Sequence, residues 1–151
     1  MRVGVASARS STRQAVQATN IRAKIPDLPV GPQDFALRQE SAEIAGIDVN
    51  QLPEAKLLKG VVRWIFELLD DHRTGKITAA KLIRVCEIYD DRVPVEGIRD
   101  TLAAVDGHNS LTERELYHWV VLMFGDCSEE EFFSGANEFG AAATKDQERY
   151  H

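Results

Sequence analysis

The residues best suited to chemistry lie in one short stretch, LDDHRTGKITAAKL, from Leu69 to Leu82. Asp70, His72, Thr74, Lys76 and Thr78 alternate along it, and Lys81 stands twelve places from the start. Oxygen ligands at such alternating positions, closed by a bidentate carboxylate at the twelfth, are how a loop encloses calcium. Here the chemistry is incomplete. Asp70 offers a hard anionic oxygen, but the third position holds an imidazole and the fifth a neutral hydroxyl. The twelfth is Lys81, a cation where two carboxylate oxygens would have to close the cage. Asp71 should point outward, so no calcium affinity tighter than ~1 mM is expected.

A second stretch, DGHNSLTERE from Asp106 to Glu115, fails differently. Asp106 would be its first ligand and Glu115 its closing carboxylate, but ten residues are too few to wrap the ion as twelve do. Asn109 can supply the left-handed backbone that glycine usually gives. Thr112 followed three places later by Glu115 has a plainer use, as a capping box that starts a helix. His72 and His108 each follow a leading Asp by two residues. Zinc would suit them, but no fourth ligand is evident, and exposed loop histidines are the simpler expectation. His118, beside Trp119, has no nucleophile at suitable spacing and is read as a packed side chain.

The chain contains no glycine-rich phosphate loop, no HExxH, no CxxC and no nucleophile elbow. No catalytic residue, bound metal or cofactor is therefore expected, and enzyme activity is not. Cys86 and Cys127 are too few and too far apart for a disulfide framework and read as isolated apolar thiols.

The elements that position these loops can be read from periodicity. Leu57, Leu58, Val61, Val62, Ile65, Leu68 and Leu69 recur at helical spacing, with Pro53 suited to the first turn. A second helix carries Leu82, Ile83, Val85, Cys86, Ile88 and Tyr89. A third carries Ile98, Leu102 and Val105, and a fourth runs from Leu116 through Trp119 and Met123 to Phe124. Ser128 and Glu131 form another capping-box pair before a fifth helix with Phe132, Phe133 and Phe139. Residues 141–151 read as a polar, frayed tail.

Helix, loop, helix, twice over, with Gly75 at the sharp turn and Ile77 at the apolar position, resembles the calmodulin-like EF-hand superfamily over residues 54–124. The resemblance implies an all-α fold in which Ile77 and Leu111 face each other across a short antiparallel bridge. It makes Asp70, His72, Thr74, Lys76, Thr78, Lys81, Asp106 and Glu115 vestigial calcium positions. Gly75, Ile77, Leu111 and Thr112 then form a structural clasp. The resemblance further implies an apolar groove between the helices. The phenylalanines fill it from within, or else the groove or the helix bearing Phe132 and Phe133 meets a partner.

The first 53 residues show no sustained period. Pro26, Pro29 and Pro32 favour an extended path, with room for a short helix between Asp34 as N-cap and Gly46. Residues 1–53 are therefore expected to be an extended basic arm on a helical domain of residues 54–140. Residues 1–38 carry six Lys/Arg against two Asp, whereas residues 39–151 carry twelve against twenty-two. An acidic body makes nucleic acid an improbable partner. No apolar run approaches the ~20 residues of a membrane helix. Arg2, Arg9, Arg13, Arg22, Lys24 and Trp64 join Phe132 and Phe133 as candidate partner contacts.

The expected function is a calcium-independent scaffold on a large protein assembly. The axonemal microtubule of a cilium or flagellum comes first, because tubulin is acidic and EF-hand-like proteins are frequent there. One alternative is a calcium sensor or light-chain-like regulator that binds a target helix. The other is a subunit of a mitochondrial assembly, since MRVGVASARSSTRQAVQA is rich in Arg and Ser and free of acids, as transit peptides are.

Overall fold

A computed structural model of the chain describes residues 24–70, 72–90, 95–105 and 109–150. The fold is all-α apart from one small bridge. Its helices are α1 (Pro32–Ala45), α2 (Ala55–Leu69), α3 (Ala79–Tyr89), α4 (Val95–Ala104), α5 (Glu113–Phe124) and α6 (Glu129–Tyr150). A 3₁₀ turn, Val49–Gln51, joins α1 to α2, and two-residue strands β1 (Ile77–Thr78) and β2 (Ser110–Leu111) precede α3 and α5.

Leucine, valine and isoleucine at spacings of three and four give α2 a broad apolar stripe, and Leu58, Val61, Val62, Ile65 and Leu69 are buried by it. The helix starts at Ala55, so Pro53 lies before it rather than in its first turn. Thr78 starts α3 by accepting the Lys81 N–H at 3.1 Å. Thr112 and Glu115 start α5 reciprocally: Glu115 N–H donates to Thr112 Oγ1 at 3.3 Å, and Thr112 N–H donates to Glu115 Oε1 at 2.9 Å. Ser128 and Glu131 do the same before α6, with Glu131 N–H 3.2 Å from Ser128 Oγ.

α5 is the centre of the molecule. Leu116, Trp119, Val120 and Val121 are fully buried on it, and α1 and α2 pack against its sides. α6 lies across α2 and α3 and buries Phe132, Phe133, Ala136, Phe139 and Ala143. The ring of Phe139 meets Trp119 at 5.5 Å and Tyr89 at 5.8 Å between centroids. Gly140 gives the Trp64 ring room there, because a Cβ would collide with Cη2 of that ring unless the indole shifted.

Two boundaries differ from the expectation. The arm of residues 1–53 does not extend as one piece: its described part, from Lys24 onward, is folded onto the helices. Residues 24–31 run along α2 where Gly60 leaves room, since a Cβ there would meet the Pro26 carbonyl at 3.1 Å. The Lys59 ammonium donates to the Pro29 carbonyl at 2.6 Å and Lys56 pairs with Asp27 at 2.7 Å. α1 then docks on α5. Its N-cap is Gly31 rather than Asp34, and Asp34, three residues on, accepts the Gly31 N–H at 2.8 Å. Burial opposes ionisation of Asp34, but that N–H and the Lys59 ammonium together hold its carboxyl below the usual range. Gly46 closes α1 in the left-handed conformation, φ 69°.

The polar tail of residues 141–151 is the second difference, for α6 continues to Tyr150. Its last turns are polar in composition yet anchored. Asp146, 1% exposed, receives the Arg84 guanidinium at 3.2 and 3.4 Å. Gln147 Nε2 donates to the Leu68 carbonyl. A helix held by hydrogen bonds to neighbouring elements does not need an apolar stripe at that end.

Candidate functional site

The first loop closes on itself around one carboxylate. Asp70 Oδ1 accepts the Thr74 N–H at 2.9 Å, and Asp70 Oδ2 accepts the Gly75 N–H at 2.8 Å. The Thr74 hydroxyl lies 3.0 Å from Asp70 Oδ1 and 2.8 Å from the Lys76 carbonyl. Left-handed backbone at Arg73, φ 55°, and Gly75, φ 84°, turns the chain tightly enough for those bonds. Asp70 is thus engaged by backbone and hydroxyl donors four and five residues further along the loop.

The cleft between this loop, α3 and the end of α6 has a volume of about 420 Å³. Among the described residues, Lys76, Lys81 and Arg84 line it together with His72 and two carboxylates, Asp70 and Asp146. A calcium cage needs an excess of negative oxygen. This lining has an excess of cations. His72, Thr74 and Lys76 are exposed, and no group of three or more His, Cys, Asp or Glu side chains is placed to hold a metal ion among the described residues. Asp106 and His108 lie outside the described residues, so the zinc pairing of His72 with His108 and the first-ligand role of Asp106 do too.

The clasp residues come together. Ile77 pairs with Leu111 and Thr78 with Ser110 in antiparallel register. Ile77 and Leu111 are 2% and 0% exposed, so their side chains join the core rather than the surface. The Asn109 carbonyl adds a further link by accepting the Ala79 N–H at 2.8 Å. Asn109 does not take the left-handed backbone expected of it; Arg73 alone does so among the described non-glycine residues. Glu115, the candidate closing carboxylate of the second loop, is turned back onto Thr112 as a cap.

The partner contacts expected from sequence are reordered. Phe132 and Phe133 are both 0% exposed and form the inner face of α6, so neither can meet a partner while the fold is intact. The physical reason is that α6 itself occupies the apolar space beside α2 and α3. Trp64 is half-buried under Gly140, with the Lys24 ammonium 5.8 Å from its ring centroid. Lys24 also donates to Asn137 at 3.4 Å, which ties the incoming chain to α6. Arg2, Arg9, Arg13 and Arg22 lie outside the described residues.

One cluster gave no sequence signal. Ser41 of α1, 0% exposed, places its Oγ 2.7 Å from Nδ1 of His118, which is 5% exposed. Glu40 Oε1 stands 3.7 Å from Nε2 of the same ring and Glu40 also pairs with Arg114. Burial lowers the pKa of His118, the Glu40 carboxylate opposes that shift, and Arg114 reinforces it. Serine, histidine and glutamate are the residue types of an acyl-transfer triad, but the geometry does not suit that chemistry. Ser41 is sealed from solvent in mid-helix, where the backbone N–H groups are engaged within the helix and cannot form an oxyanion hole. The cluster instead joins two helices.

No protein-family model, no curated protein and no solved structure matches this chain.

Proposed function

We propose that this chain is a non-enzymatic, calcium-independent structural adaptor. In this reading it is a degenerate EF-hand pair, closed from within by its own last helix, that docks on a large protein assembly. The observation that carries it is the first loop. Its one leading carboxylate is engaged by the loop's own donors, and Lys81 stands at the position a closing carboxylate would need. The paired register of Ile77 and Leu111 between two helix–loop–helix units supports the EF-hand resemblance. The burial of Phe132, Phe133 and Phe139 supports a groove occupied in cis, which weighs against a regulator that takes up a target helix.

The assembly is proposed on charge. An acidic polymer such as the microtubule lattice of a cilium or flagellum suits the basic first 38 residues, and most of their positive charge precedes Lys24. Calorimetric titration of the full chain with calcium, up to about 1 mM, should give no binding heat, and Asp70→Ala should leave that result unchanged. Asp70→Ala should cost only about 1 kcal/mol of stability, because water can reach the exposed donors it leaves behind. Co-sedimentation with microtubules should be salt-sensitive and lost on deleting residues 1–23, a cut that spares α1 and the segment along α2. Micromolar calcium uptake with a change of shape would overturn the scaffold reading. Unchanged pelleting of the truncated chain would remove the basic segment as the anchor.

A further inference from the structure

α1 is held differently from every other helix. It contributes only Ser41 and Ala42 as buried side chains, whereas the aromatic core of Trp119, Phe124, Phe132, Phe133 and Phe139 is assembled by α5 and α6 without it. Beyond these, Leu37 and Ala45 are half-buried against the core, and the other attachments are polar. Arg38 donates to the Leu52 and Pro53 carbonyls at 2.9 Å each, and Asp34 pairs with Lys59 at 3.1 Å. Where α1 meets α5, the contact runs through the ring of His118. An element with few buried apolar contacts opens locally at lower free energy than the core opens globally.

We infer that α1 is a displaceable strap over the Tyr117–His118 face of α5, and that protonation of His118 releases it. In the docked state the imidazole sits between Ser41 and Glu40 at 5% exposure. Ser41 is uncharged and can donate to a neutral ring or accept from a protonated one. The carboxylate that could stabilise an imidazolium is Glu40, but Arg114 already draws on that charge. Glu115, on the same helix as His118, favours the charged ring, but its carboxylate is committed to capping Thr112. On the α2 side of α5, the Arg63 guanidinium pairs with the Glu113 carboxylate at 2.8 Å.

Released into water, the ring recovers an ordinary affinity for protons. The undocked state therefore binds more protons than the docked state once the pH falls to the unperturbed histidine pKa, near ~6.5. Docking is fully favoured above that pH, weakens as the pH falls through it, and levels off once the docked ring is protonated as well. The described residues include one other histidine, His72, and it is exposed. Tyr117, whose hydroxyl pKa is raised by burial, marks the apolar surface that release would uncover.

Hydrogen exchange of the full chain, read as protection factors, tests this between about pH 7.5 and about pH 5. Protection of residues 32–45 should fall roughly threefold or more while that of residues 132–143 holds. Glu40→Gln should enlarge the fall, since it removes the one carboxylate facing Nε2. Arg114→Gln removes an exposed ion pair and should shrink the pH-dependent fall by leaving Glu40 to the imidazolium. His118→Gln should abolish it, and if that variant does not fold, the Arg114→Gln result decides. Constant α1 protection, a joint loss across α1 and α6, or an unchanged response in Arg114→Gln would each overturn the proposal.

Discussion

The two terminal helices cover the same central unit by opposite means. α6 brings three phenylalanines and three alanines to its inner face, and its aromatic rings interlock with Trp119, Tyr89 and Phe124. α1 buries a serine and an alanine, leaves Leu37 and Ala45 half-buried, and completes its contact with hydrogen bonds from Arg38 and to His118. Burial of a large apolar side chain stabilises by about 1.5–3 kcal/mol, while a net hydrogen bond contributes about 1 kcal/mol. α6 is therefore part of the fold's stability, and α1 is an attachment to it.

That contrast can be broken most forcefully at Phe133. Phe133→Ala leaves a cavity in a closed core and should cost about 3–5 kcal/mol, roughly 10 °C in melting temperature by calorimetry. Asp146→Ala is the intermediate case. It removes the buried carboxylate that holds Arg84, but the guanidinium is 39% exposed and can turn to water, so about 1–2 kcal/mol is expected. The loss should appear as faster exchange confined to the last two turns of α6.

Ser41→Ala sharpens the other side. It strips one partner from the His118 ring and should cost about 1 kcal/mol, seen as reduced protection of α1 with the melting of the core almost unmoved. Equal losses in Ser41→Ala and Phe133→Ala would show that the two helices are not energetically distinct.

Much of the helical body was legible because its signals are local. Leucine and valine at helical spacing marked α2, and Thr112 with Glu115 marked the start of α5, since a cap needs only residues three apart. The apolar face of α6 is visible as Phe132, Phe133 and Phe139, although residue type alone does not say whether they face inward or toward a partner. α1 was hard to read for a physical reason. A helix that docks through serine, alanine and arginine has no apolar stripe, so its sequence looks like that of an arm. The end of α6 is illegible for the same reason, because Asp146 and Gln147 are solvent-seeking residue types until Arg84 and the Leu68 carbonyl are placed beside them.

The sequence by itself determined which side chains stand at the alternating positions of the loop from Asp70 to Lys81, with Lys81 at the twelfth, because ligand identity is a matter of residue type. It also determined the helical periods and caps, which depend on neighbours within a turn or two. Only the tertiary structure decided that residues 24–45 lie on the body, that the phenylalanines of α6 close the apolar space, and that His118 meets Ser41. Those contacts join residues as many as 113 positions apart, as Lys24 and Asn137 are. No local pattern encodes such a pairing. It arises when the chain, folded around α5, leaves one buried imidazole beside one buried hydroxyl.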